Sequence, residues 1–212
     1  MDTIAANKNK NLLIDVDGVQ YARFPVKTHV VLAKDDLKTI LSQYLKPYLK
    51  EGDMIFISEK IVAITQGRSY PIKDIKPSLL AKILVKFVHK TPAGIGIGSP
   101  WTMELAVREA GPIKIILAAF VSAVTKPFGV KGMFYRIAGK EVAAIDGPCD
   151  YTLPPYNHYA KLGPKNPAAV AEFLKGKIGH DIVIIDANDI GVSVLGKSNK
   201  KLTDDFARKV FR

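Results

Sequence analysis

The chain has 212 residues, 48% of them hydrophobic and 24% charged, with a formal net charge of +11. That length suits one large domain or two small ones with a sizeable core, and the composition is that of an ordinary globular protein, for which disorder is not the default. No run of about 18 apolar residues exists, so no membrane partner is expected, and the polar start lacks the apolar segment of a signal peptide. A single cysteine, Cys149, excludes an internal disulfide and fits a reducing, cytoplasmic setting; four scattered histidines give no zinc-ligand spacing. The positive charge is dispersed and mostly lysine, without a nucleic-acid-binding motif. It points to small anionic substrates and not to specific nucleic acid.

Residues 1–10 read as a flexible tail and 11–212 as a single domain. Leu12 to Val16, Asp17-Gly18 and Val19 to Phe24 predict a hairpin, because Asp-Gly favours the type I′ turn. A short strand is expected over Thr28 to Ala33. Asp35 or Asp36 then caps a helix with apolar residues at Leu37, Ile40, Leu41, Tyr44 and Leu45. Glu51-Gly52-Asp53 is a turn before a buried strand over Met54 to Ile57. Ser78 to Val88 is helical, with Leu79, Leu80, Ile83, Leu84 and Phe87 on one stripe.

The run Thr91 to Pro100 carries Gly94, Gly96 and Gly98 but matches no phosphate-loop pattern, so a tight connection or flap is favoured over a phosphate cradle. Ser99 and Pro100 start a helix over Trp101 to Ala110, where Glu104 and Arg108 make an i,i+4 pair. Ile113 to Val124 reads as a long apolar strand. Met133 to Ile137 and Val142 to Ile145 read as shorter strands, the last ending at Asp146. Tyr151 to Pro167 is an irregular, proline- and tyrosine-rich loop, whose tyrosines either stack on a planar ligand or pack the loop itself. Asp146 and Asp150 flank Cys149 and blunt it as a nucleophile. Helices follow over Pro167 to Lys177 and Thr203 to Phe211.

Between those helices, Ile182-Val183-Ile184-Ile185 predicts a strand buried on both faces. It stops at Asp186, Asn188 and Asp189, before Gly191 allows a turn and Val192 to Leu195 resume. Acids at the end of a buried strand need a compensating cation or backbone donors. They are either oxygen ligands for Mg²⁺ or Mn²⁺, with Asp146 as a further carboxylate, or an Asx turn bonded to its own backbone.

Gly52-Asp53-Met54-Ile55-Phe56-Ile57-Ser58-Glu59-Lys60-Ile61-Val62, followed by Gly67-Arg68, resembles the signature of the coenzyme F420-0:γ-glutamyl ligase family. The later order, Asp146, Gly163-Pro164-Lys165-Asn166-Pro167 and Asp186, is also similar, so the resemblance covers residues 25–196. It implies an α+β fold with mixed or antiparallel sheets and packed helices, assembled as an intertwined homodimer. It implies a GTP- and metal-dependent amide ligase that joins L-glutamate to a carboxylate acceptor such as F420-0 through an acyl phosphate. By resemblance, Asp146 and Asp186 match the family's ligands for Mg²⁺ or Mn²⁺, and Lys60 a nucleotide-binding lysine. Arg68 closes the signature as a phosphate or substrate contact, with a structural ion pair as its other reading. Asp189, in the turn three residues past Asp186, is expected as a further metal ligand, and Glu59 beside Lys60 as a nucleotide residue. The chain departs from the family at Ile64, Gln66, Cys149 and Ala187, and family members continue past the position of Arg212. Those departures keep open a second reading, a non-catalytic or repurposed small-molecule- or nucleotide-binding member of the same fold.

Overall fold

The hairpin at the start of the chain forms as its turn dictates. Strand β1 (Leu13–Val16) pairs antiparallel with β2 (Val19–Ala22), and Asp17 and Gly18 both take the positive φ of a type I′ turn. The computed structural model describes residues 11–88, 96–130, 132–150, 152–187 and 191–211. The strand expected over Thr28 to Ala33 is replaced by irregular chain. Side chains hold that segment instead: His29 bridges the Tyr44 hydroxyl and the Asp35 carboxylate at 2.9 Å each, and Asp35 accepts from the Leu32 N–H. Asp36 then caps α1 (Leu37–Leu45) by accepting from the Thr39 N–H at 2.9 Å. Strand β3 (Met54–Ser58) runs directly into α2 (Glu59–Thr65).

Strand β4 (Ser69–Pro71) follows Gly67, and Ser78 caps α3 (Leu79–Leu84). The expected stripe on α3 splits. Leu84 packs into a core, whereas Leu79, Ile83 and Phe87 face outward. Helix α4 (Pro100–Ala110) starts with a reciprocal cap between Ser99 and Thr102, and its Glu104–Arg108 pair closes at 2.9 Å. Of the glycine run before it, residues 91–95 lie outside the described residues.

Three expected strands are helices. Ile113 to Val124 lies in α5 (Pro112–Thr125), Met133 to Ile137 in α6 (Met133–Ala138), and Val142 in α7 (Lys140–Ala143), which leaves Ile145 as a short link to Asp146. Isoleucine and valine argue for strand, but Gly111 ends α4, Pro112 presets a first helical turn, and Leu117, Ala118, Ala119 and Ala123 favour helix. Glycines with positive φ, Gly132 and Gly139, bound α6 in the same way. Within the loop expected to be irregular, β5 (Tyr159–Lys161) pairs antiparallel with β4. Then α8 (Pro167–Ile178), β6 (Asp181–Ala187), β7 (Val192–Lys197) and α9 (Asp204–Phe211) follow the expected order.

These elements gather into two compact units, Met1–Thr65 with Lys165–Arg212, and Gln66–Pro164. In the first, β6 is the central strand of three, parallel to β3 and antiparallel to β7. Ile182 and Ile184 pack among α1 and α8 residues, while Val183 and Ile185 pack toward Ala207 of α9. Both faces of β6 are therefore covered, which is why its apolar run does not alternate. Gly196 of β7 passes so close to the start of α8 that an added Cβ would lie 2.4 Å from the Pro167 carbonyl carbon. The hairpin joins this unit through α9, with Tyr21 edge-on to Phe206 and Lys209 3.0 Å from Asp17.

In the second unit, α3 to α7 and the β4–β5 ribbon enclose a core that includes Met103, Leu105, Ile115, Val142 and Leu162. The architecture is mixed α+β with small sheets and several helices, as the sequence implies. Among the described residues, no helix is long and apolar enough to cross a membrane.

Candidate nucleotide and metal site

Strands β3 and β6 run parallel, from Met54 opposite Asp181 to Ser58 opposite Ile185. The next residues are Glu59, the first of α2, and Asp186, still within β6, so both acids follow the last β3–β6 pair on its C-terminal side. The carboxyl edge of parallel strands is where open α/β sheets place ligands. Glu59 is buried at the start of α2; Lys60 and Asp186 are half-buried. Ser58 Oγ accepts from the Lys60 N–H at 3.3 Å, which fixes the backbone at the strand-to-helix step. Across β7, Asp186 stands opposite Ser193 and Ala187 opposite Val192. Asp189 lies outside the described residues.

The other two expected site residues belong to the second unit and flank β5. Asp146 exchanges both backbone hydrogen bonds with Lys161, at 3.0 and 2.9 Å, and its Oδ1 accepts from the Gly147 N–H. It therefore sits on an isolated bridge, not at the end of an apolar strand, because the preceding residues form α7. Ser69 also stands opposite Lys161, and the Arg68 carbonyl accepts from the Leu162 N–H at 2.9 Å. Arg68 is buried: its Nε donates to the Gly163 carbonyl at 2.6 Å and an Nη pairs with Glu109 at 2.7 Å. Lys161 is buried as well, a position the sequence reading missed. Its one signal was a lysine between Ala160 and Leu162, in a stretch read as loop.

Among the described residues, no group of three or more His, Cys, Asp or Glu side chains stands ready to hold a metal ion. Mg²⁺ needs fewer, since it takes one or two carboxylates and completes its shell with water and phosphate oxygens. Asp186 in the first unit and Asp146 in the second are each half-buried oxygen donors of the kind a hard cation takes. The departures have structural counterparts. Ile64 is a core residue of α2 at 3% exposure, so that position packs and does not reach solvent. Ala187 is exposed at the end of β6. In the tyrosine-rich loop, the Tyr156 and Tyr159 rings meet edge-on at 5.1 Å, which favours loop packing for these two; Tyr151 lies outside the described residues.

The model of one protein family, F420-0:γ-glutamyl ligase, matches residues 25–192. The chain belongs to that ligase family. No curated protein matches the chain. The match leaves out the β1–β2 hairpin and α9, which pack on each other.

Proposed function

We propose that the chain is an amide ligase that uses GTP and a divalent metal to join L-glutamate to a carboxylate acceptor of the F420-0 type. The observation that carries this reading is the shared strand edge of Glu59, Lys60 and Asp186 in a chain that belongs to the ligase family. In the first step an acceptor carboxylate oxygen attacks the γ-phosphorus of GTP. The bond to the β,γ-bridging oxygen breaks, and GDP and an acyl phosphate result. In the second step the glutamate amine, having lost a proton, attacks the acyl carbon; the amide C–N bond forms and phosphate leaves. Catalysis of this kind is mainly positioning and neutralisation of phosphate charge.

Asp186, with Asp189 after it, would hold Mg²⁺ or Mn²⁺ at the end of β6; Asp146 is matched to the metal by the family resemblance alone. When bound, the metal supplies positive charge against the phosphate oxygens. Lys60 adds a point charge for phosphate beside that edge, and Glu59 supports the nucleotide. We assign Arg68 the structural half of its two readings, since its Nε donates to the Gly163 carbonyl and an Nη to Glu109. The reading carries a homodimer, as the family resemblance implies. A second reading, a binding member without ligase activity, is favoured by the burial of Ile64 where the family offers a lysine to the nucleotide.

The test is incubation of the full chain with F420-0, GTP, L-glutamate and Mg²⁺ or Mn²⁺, followed by mass spectrometry. The ligase reading expects a mass gain of one glutamyl residue and GDP in equal amount. Nucleotide binding without product would replace it with the second reading.

A further inference from the structure

Helix α5 is apolar on two opposite faces. Ile115 and Ala118 are fully buried in the core of its unit. Ile113, Ile116, Leu117, Phe120 and Val124 are exposed on the other side, from 49% at Ile116 to 83% at Ile113. At about 100° per residue, those five positions fall within roughly a 100° arc, a complete apolar stripe and not scattered exposure. Phe128, at 80% exposure, extends the patch just beyond the helix. With large apolar residues each presenting roughly 150–250 Å² when free, the patch amounts to about 700 Å². That exceeds the largest patch of an ordinary monomer, about 300–600 Å², and approaches the roughly 800 Å² each partner gives a stable interface.

We infer that the α5 face is the surface on which two copies of this chain meet, packed helix against helix. The inference rests on the homodimer proposed above and gives it a location. The stripe is self-complementary when reversed: about a two-fold axis between antiparallel α5 helices, Ile113 faces Val124 and Leu117 faces Phe120, each pair equidistant from the midpoint. A two-fold interface requires such self-complementarity. A lipid surface fits less well, because interfacial helices carry a strongly charged face. Lys114 is the one charged residue within Pro112–Thr125. The face also has a consequence for the proposed site. Helix α5 packs on α4, whose Glu109 holds Arg68, so pairing braces the unit that carries Arg68 and Asp146.

The experiment is light scattering on the full chain at micromolar concentration, without nucleotide or metal, with Leu117→Glu/Phe120→Glu beside a control altered at the other exposed stripe, Ile83→Glu/Phe87→Glu. The expected result is twice the 23.2 kDa chain mass for wild type and control, and the single-chain mass for the α5 variant. A wild-type monomer overturns both the dimer and this face, and if that monomer sediments with anionic vesicles the face belongs to lipid. A wild-type dimer with an α5 variant that is still dimeric overturns this face and leaves the dimer standing. Should the α5 variant fail to fold, Phe120→Cys in a Cys149→Ser background replaces it. A short bis-maleimide then links two chains, while Phe87→Cys in the same background gives none. Equal linking at both positions, or none at Phe120→Cys, overturns the face.

Discussion

Arg68 and Glu109 form an ion pair at 2.7 Å between side chains that are 8% and 14% exposed. The Arg68 Nε also ties Gly163, 95 residues further on, so one guanidinium joins the start of β4, the last turn of α4 and the end of the β5 segment. Removing one partner of a buried pair leaves an uncompensated charge, a loss of about 3–5 kcal/mol. We predict a loss of that size for Glu109→Ala in urea unfolding, with part returned by Arg68→Met/Glu109→Leu. Arg68→Lys keeps the charge and loses the planar fork, so stability falls while the KM for GTP stays unchanged. A raised KM for GTP at intact stability would return Arg68 to the nucleotide.

Two glycines separate close approach from open space. Gly196→Ala places a methyl against the Pro167 and Ala168 backbone, which no side-chain rotation relieves, and is expected to destabilise by about 1–3 kcal/mol. Gly176, in α8, meets nothing within 4 Å, and Gly176→Ala is expected to stabilise by about 0.5–1 kcal/mol. Opposite signs in one thermal-melting series would check the packing of β7 on α8. A neutral Gly196→Ala would contradict it.

Asp181 opens β6 in a polar cluster with Asn199 at 2.7 Å, Lys175 and Ser198. The hydrogen bond from Asn199, then that from Lys175, holds its carboxyl below the ordinary aspartate value. A folded-state value below the unfolded one gives stability that is fully present above the unfolded pKa, about 3.9. It is lost as the pH falls from there through the depressed value. Wild type should therefore lose more stability between pH 5 and pH 3 than Asp181→Asn, whereas parallel losses would remove Asp181 from the account of acid sensitivity.

Apart from Thr28 to Ala33, which side-chain hydrogen bonds and not a strand hold, the first unit was legible because its signals were local and mutually consistent. Asp17-Gly18 could form one kind of turn, and Ile182 to Ile185 could be buried on both sides only as a central strand. The second unit was read less well. Isoleucines and valines in α5 carry strand propensity, and their helical form is set by Gly111-Pro112 and by alanines whose preference a search for β-branched runs outweighs. Asp146 was placed at a strand end for the same reason. That Glu59 and Asp186 follow paired residues was not legible at all, since it depends on the register between β3 and β6, 127 residues apart at Met54 and Asp181.

If Asp186 holds a divalent ion, metal with nucleotide binds the folded chain and raises its melting temperature. At a ligand concentration of about 100 times Kd the gain is roughly 2.7 kcal/mol, or several degrees for a chain of this size. Mn²⁺ with GTP should give that shift in wild type, and Asp186→Asn should abolish it. Equal shifts in both proteins would move the metal elsewhere.

The proposed ligase forms an acyl phosphate, and oxygen transfer reports that step. F420-0 labelled with ¹⁸O in its acceptor carboxylate is incubated with the full chain, GTP, L-glutamate and Mn²⁺, and the released phosphate is analysed by mass spectrometry. The account predicts one ¹⁸O in phosphate for each amide bond formed from fully labelled carboxylate. Amide product with unlabelled phosphate would contradict the mechanism, and the absence of GTP-dependent product would contradict the ligase reading itself.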